Sequence, residues 1–333
     1  MPFHLHLAEA DLLRCRFAIS PLWETQEAVR TLARPERHGY HLPWLRRTRE
    51  ATAGIDLRPL WLLMPSGGGH NPDFFCPPPL GPAVPFEEEL AVVRATAPGT
   101  ARDDMAAALA ATPGAARSAL GRSLLADPAR TVRRLADLLE QVWHTLIEPE
   151  WPRLRALLEA DVAYHSRRLA EGGFGRLVGE LSPRLAFEDA TLKIDGMRGS
   201  HVRSLDGQGL VLMPSVFCWP DVISGFEPPW QPAVVYPARG VGGLWSPPQD
   251  RTPAALAALL GRARADVLRA LGEPASTSSL ARLLGLAPST VSAHLSVLRA
   301  AGLLTSRRYG HQVLYERTPL GITLAGPQPD TLS

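Results

Sequence analysis

Apolar and polar positions change their period several times along this chain. Phe3, Leu5 and Leu7 alternate with His4 and His6, the period-two pattern of a short strand. Residues 8–19 and 22–33 then carry apolar side chains at helical spacing. Ser20-Pro21 supplies a cap and a first-turn proline for the second run. Residues 57–64 form a short apolar element. Residues 65–85 (PSGGGHNPDFFCPPPLGPAVP) hold too much proline and glycine for a helix or a central strand. Residues 86–96 open with Glu87, Glu88 and Glu89, where the positive end of a helix dipole favours acids. Residues 101–125 are alanine-rich, with an interruption at Pro113-Gly114.

The next pattern is the clearest. After Asp127-Pro128, the side chains of Val132, Leu135, Leu138, Leu139, Val142 and Leu146 fall on one helical face. A further helix begins at Trp151-Pro152, carries Leu154, Leu157, Leu158, Val162 and Leu169, and is expected to stop at Gly172-Gly173. The two read as an antiparallel helical pair. Beyond Ser182 the texture changes, and residues 191–194, 209–216 and 233–236 read as strands. Residues 241–252, with Pro247-Pro248-Gln249-Asp250, are the best linker. The expected fold is mainly α with small β elements (α+β). Residues 1–246 form a mostly helical domain with a small β region, and residues 247–326 form a second domain. The latter opens with Thr252-Pro253 and one helix running through Leu256, Leu259 and Leu260 to Leu268 and Leu271.

Residues 276–302, STSSLARLLGLAPSTVSAHLSVLRAAG, carry the most information. Leu280, Leu283 and Leu284 recur at helical spacing, and Gly285 breaks the run. Pro288 stands where the first turn of a new helix needs no backbone N–H. Val291, Leu295 and Leu298 give that helix one buried stripe, while Ser289, Thr290, Ser292, Ala293, Ser296 and Arg299 form a small, polar or basic outer face suited to base edges and phosphates. Ala301-Gly302 is a helix stop. Residues 303–308 and 312–317 then alternate as two short strands around Tyr309-Gly310-His311, with Arg307, Arg308 and His311 at the tip. A helix-turn-helix followed by a basic hairpin is a winged helix.

This segment resembles the ArsR/SmtB class of winged-helix regulators. The matching residues are Ser289-Thr290-Val291-Ser292, His294-Leu295, Leu298, Ala301-Gly302-Leu303-Leu304 and the arginine-bearing wing that ends in Val313-Leu314-Tyr315. The resemblance covers residues 252–324 and implies operator binding by the recognition helix and wing. Ala287 departs from the Ser or Asn that caps many recognition helices, at a cost of ~1 kcal/mol of helix stability. His311 stands where the wing often has Arg. Metal-sensing members place cysteines in this domain, and this one has none, so the resemblance implies no metal. The front of the chain looks like an uncharacterised module on some actinobacterial ArsR-like regulators. That likeness rests on Ser20-Pro21-Leu22-Trp23-Glu24, Asp73-Phe74 and Tyr236-Pro237-Ala238-Arg239-Gly240, and brings no activity with it.

Charge supports the same division. The chain's net charge is +2, but residues 250–326 carry +5 and residues 1–249 carry −2. The positive surplus lies where phosphates would use it. Almost every basic residue is Arg, Lys193 being the only lysine; with abundant Ala, Pro and Gly this suits a GC-rich genome. No apolar run approaches a membrane span, and the start does not read as a signal peptide. Cys15, Cys76 and Cys218 are far apart and form no zinc pattern, so a reduced, cytoplasmic protein is expected.

Other constellations are weaker. His38 and His41, or His4 and His6, lack a third ligand, and hydrogen-bonded histidines are favoured over a metal. Ser66-Gly67-Gly68-Gly69-His70 lacks the GK[ST] of a phosphate loop. Cys76 shows no thiolate stabiliser. Trp23, Trp44, Trp61, Phe74, Phe75, Trp143, Trp151, Trp219, Trp230 and Trp245 are favoured as packing anchors, with an apolar ligand pocket as the alternative.

The sequence thus points to a transcriptional repressor that binds a double-stranded DNA operator as a homodimer. Two recognition helices would lie roughly 34 Å apart, and a small-molecule effector would act through the N-terminal domain. No cofactor, metal, membrane or catalytic role is implied. An enzymatic N-terminal module, or a protein-binding winged helix, is the alternative.

Overall fold

The computed structural model describes residues 3–65, 71–197, 201–225, 230–245, 253–272, 274–309 and 312–325. They divide into two compact units, Met1–Trp245 and Ser246–Ser333. The loop residues 66–70 and the capping residue Thr252 lie outside the described set.

The first unit begins with β1 (Phe3–His6), the short helix α1 (Glu9–Leu12) and β2 (Arg16–Phe17). Helical spacing over residues 8–19 predicted one helix, and tertiary contacts override it. The buried Asp11 carboxylate accepts the Ala8 N–H at 2.8 Å and the Gly209 N–H at 2.9 Å. Arg16 and Ala18 then donate to Leu210 and Leu212 at 3.0 Å, drawing the chain into a sheet.

Helices α2 (Pro21–Ala33), α3 (Leu42–Thr52), α4 (Arg58–Leu63), α5 (Phe86–Arg94), α6 (Pro98–Ala111), α7 (Ala119–Ala126), α8 (Pro128–Val142) and α9 (Trp151–Leu181) follow. Ser20 caps α2 by accepting the Trp23 N–H at 2.9 Å, and Asp127 caps α8 through the Arg130 N–H at 3.0 Å. Helix α2 is buried nearly all round, including Glu24, Thr25, Gln26 and Glu27, so it forms the axis of the unit rather than an amphipathic surface helix. Trp44, Phe74, Phe75, Leu90, Met105 and Leu139 fill the main core around it.

Two expectations change here. Helix α8 lies against α2, α5 and α6 rather than forming an antiparallel pair with α9. Helix α9 also does not end at Gly172-Gly173; it breaks there, with Gly173 at φ 71°, and resumes to Leu181. Its second half supplies Leu177 and Val178 to a separate core beneath the strands.

Those strands are β3 (Leu185–Glu188), β4 (Thr191–Ile194), β5 (His201–Ser204), β6 (Val211–Ser215), β7 (Ile223–Gly225) and β8 (Ala233–Pro237). One sheet has the order β3-β4-β1-β5, with β1 antiparallel to β4 and parallel to β5. The other has the order β2-β6-β8-β7; β2, β6 and β8 are parallel and β7 is antiparallel. Strand β6 is buried at every position, as expected for a parallel strand covered on both faces.

The second unit contains α10 (Pro253–Leu260), α11 (Arg262–Ala270), β9 (Ala275–Ser276), α12 (Thr277–Leu284), α13 (Pro288–Ala300), β10 (Leu304–Tyr309), β11 (Gln312–Arg317) and α14 (Pro319–Ala325). The helix predicted to run unbroken to Leu271 is divided at Gly261, whose φ of +82° no L side chain adopts readily. Leu256, Val267, Leu268, Leu271, Leu280, Val291, Leu295 and Leu298 share one core. The whole protein is mainly helical with small sheets, an α+β fold. Among the described residues no helix is long and apolar enough to cross a membrane.

Candidate nucleic-acid interface

The recognition element is built from α12, a three-residue turn and α13. Ser276 caps α12 by accepting the Ser279 N–H at 3.2 Å. At its far end Gly285 is left-handed, and the Leu286 N–H reaches back to the Ala281 carbonyl at 3.0 Å. Ala287 leaves α13 without a side-chain cap. Val291, Leu295 and Leu298 are fully buried, which fixes the rotation of α13. Leu283 was grouped with Leu280 in the apolar pattern, but it is 69% exposed while Leu280 is buried.

With that rotation set, Ser289, Thr290, Ser292, Ala293, Ser296 and Arg299 are all exposed. Ser289, Ser292, Ser296 and Arg299 follow one another at three- and four-residue steps, with Ala293 four after Ser289 and three before Ser296, forming a single stripe. Thr290 flanks it, beside the half-exposed Val297. The helix ends in a Schellman motif. Gly302 donates to Arg299 at 3.0 Å and Leu303 donates to Leu298 at 2.9 Å, turning the chain sharply into the wing.

In the wing β10 pairs antiparallel with β11, and β11 pairs with β9, so the hairpin is anchored beside the start of α12. Successive strand residues face opposite sides, which separates the two wing arginines. Arg307 is paired with Glu316 at 3.8 Å. Arg308 shares its face with Ser306, and Ser306 accepts a hydrogen bond from the Arg299 guanidinium of α13 at 3.3 Å. That bond ties the recognition helix to one side of the wing. Sequence reasoning missed it, because the partners stand seven positions apart across a helix end, a turn and a strand, and no local pattern marks them. His311 lies outside the described residues.

Of the residues weighed in the first unit, His41, Trp44, Trp245 and Cys76 are buried in its structure. The Trp245 indole donates to His41 Nδ1 at 2.8 Å, within a cluster formed with Trp44 and Phe217. Burial pushes His41 down to about 4, so its ring is neutral. Tyr236 and the Arg239 backbone both donate to Asp161 at 2.9 Å. Both Glu24 oxygens accept the Val216 N–H at 3.1 Å. One Glu89 oxygen accepts from Ser20 Oγ at 3.0 Å and the Leu22 N–H at 2.9 Å. Burial pushes Glu24 and Glu89 up to about 8. Cys76 is buried rather than exposed in its loop, and burial raises its thiol far from reactivity. Among the described residues no group of three or more side chains is placed to hold a metal ion.

A helix-turn-helix with a polar outer face and a basic three-stranded wing defines a DNA-binding regulator, and here it is joined to a larger α+β unit. Residues 259–307 match a family model described as a helix-turn-helix domain, of the ArsR type. Residues 83–242 match a family of unknown function, DUF5937. No curated protein and no solved structure matches the chain.

Proposed function

We propose that the protein is a cytoplasmic transcriptional repressor that binds its operator as a homodimer and is controlled by a small-molecule effector. The observation that carries this reading is the exposed stripe of α13, with Arg299 bridging to the wing. Short side chains let a helix approach base edges closely, and the arginines at its end and on the wing meet phosphates. In this reading Ser289, Thr290, Ser292, Ala293 and Ser296 line the groove, while Arg299, Arg307, Arg308 and His311 hold the backbone. Leu259 on α10 and Leu320 and Ile322 on α14 are exposed apolar side chains, and they support pairing with a second copy. The first unit is the dimerising or effector-sensing part. Its buried carboxylates support a structural rather than catalytic role, since those of Glu24, Glu89 and Asp161 are taken up by backbone amides or hydroxyls.

The test is a gel shift on DNA upstream of the protein's own coding region, at two salt concentrations and with excess nonspecific competitor. Binding that resists competitor and weakens with salt is expected. Absence of binding by folded protein at low salt, with and without candidate effectors, would overturn the reading.

A further inference from the structure

Helix α8 presents one face that neither its packing nor the reading above accounts for. Arg130, Arg133, Arg134, Asp137, Leu138 and Gln141 line an open groove of about 540 Å³ along it. Three of these side chains are arginines in the first two turns of a fifteen-residue helix. Arg130, in the first turn, meets the positive end of the helix dipole, a placement that an added anion relieves, and Arg133 and Arg134 extend the positive charge along the same face.

Asp127 offsets the dipole in part, but the neighbouring acids do not pair with all three guanidinium groups. The Asp127 carboxylate accepts the Arg130 backbone N–H as the helix cap. Asp137 is bound by Arg94 at 3.0 Å, and Arg94 also holds Glu140 at 2.8 Å. Asp56 is engaged by Arg58 at 2.7 Å and reached by Arg134 at 3.6 Å. Arg130 and Arg133 are exposed and, among the described residues, have no carboxylate partner. The unit that carries this face is itself net negative, so the basic stripe is local and is not part of a general positive surface.

The shape selects among anions. A site lined by one helix cannot enclose a small molecule, and small-ligand sites bury most of their ligand. An extended polyanion needs no enclosure, and guanidinium groups match phosphate oxygens in bidentate geometry. We propose that the Arg130–Arg133–Arg134 face of α8 is a second nucleic-acid contact, which holds the phosphate backbone of duplex DNA without reading its sequence. This rests on the regulator reading for the identity of the polyanion.

The experiment uses the full chain and an operator duplex with long flanks. Wild type is compared with Arg130→Gln/Arg133→Gln and with a control, Arg46→Gln/Arg49→Gln, which removes two exposed arginines of α3. Each lost phosphate contact reduces the slope of log affinity against log salt by about 0.9. The α8 variant should therefore bind with a slope shallower by about 1.8, so that its loss against wild type is about twelve-fold greater at 50 mM than at 200 mM salt, and should lose part of the wild-type hydroxyl-radical footprint. The control should match wild type. An α8 variant with unchanged slope and footprint overturns the proposal and leaves the regulator reading intact, with an acidic protein segment as the occupant to try next. Equal losses in the control also overturn it, since the effect would then be general charge. No DNA binding by wild type overturns both.

Discussion

The two wing arginines should not be equivalent, and the inequality can be worked from their geometry. Arg308 shares a strand face with Ser306, to which Arg299 of the recognition helix is bonded. Arg307 points to the other face and is held by Glu316 at 3.8 Å. A phosphate contact by Arg307 must first release that pair, which, being exposed, is worth about 0–1 kcal/mol. Each phosphate neutralised contributes about 0.9 to the salt slope, so between 50 and 200 mM salt one contact accounts for about 3.5-fold in affinity and two for about twelve-fold. Arg308→Ala should flatten the slope by about 0.9 and weaken binding at low salt. Arg307→Ala should flatten it by no more than that and cost less affinity, because it also abolishes the competing pair. The double variant should lose close to two units of slope and weaken operator and nonspecific duplexes alike. Fluorescence anisotropy across a salt series, on both duplexes, measures this. If Arg308→Ala leaves the slope unchanged, the wing is not in the interface. If Arg307→Ala is the more damaging, the assignment of faces is wrong.

Two further outcomes are expected. Ala287→Ser should stabilise the C-terminal unit by ~1 kcal/mol, since Ala287 is extended and leaves α13 uncapped; calorimetry should show its transition rise by about 4–8 °C, and no rise would mean the helix end is held by other means. The first unit should lose stability as pH rises from about 4.5 to about 8. Glu24 and Glu89 are raised to about 8 when folded, so the folded state holds protons that the unfolded chain has released, and their stabilising effect is complete only below the unfolded value. All eight tryptophans precede Ser246, so urea unfolding followed by tryptophan emission reports on this unit. Glu24→Gln should remove up to about 1.4 kcal/mol per pH unit of that dependence, and an unchanged pH profile would refute the assignment.

The DNA-facing unit was legible because its signals are local. Pro288, Gly302, the Val291-Leu295-Leu298 stripe and the alternation around Val313 and Tyr315 each act within a few residues. Where a partner is distant, the pattern fails. Strands β2 and β9 are two residues long and exist only because Val211-Leu212 and Leu314-Tyr315 lie beside them. Helix α2 was visible as a helix, but its acids concealed its burial, since the Val216 amide that receives Glu24 lies 192 residues away. The motif residues Glu24, Tyr236 and Arg239, which suggested a shared module, prove to be ties between its helices and its second sheet. Gly261 was present in the sequence, but apolar spacing on both sides of it gave no sign that the backbone would turn left-handed there.

The position of β1 has a consequence for how the protein is made and dissected. Residues 3–6 form an inner strand between β4 and β5, and residues 16–17 begin the sheet that ends with β7. Both sheets therefore join the first residues of the chain to residues some two hundred positions later. Such pairings make folding slow, and residues 3–17 must wait on the ribosome until β6 has emerged. The region matching the family of unknown function, 83–242, contains β4, β6 and β8 but neither β1 nor β2 nor the buried axis α2. Excised on its own it would keep most of its helices, yet it would expose unpaired strand edges and an unfilled core. The matched region and the folding unit are different lengths of the same chain.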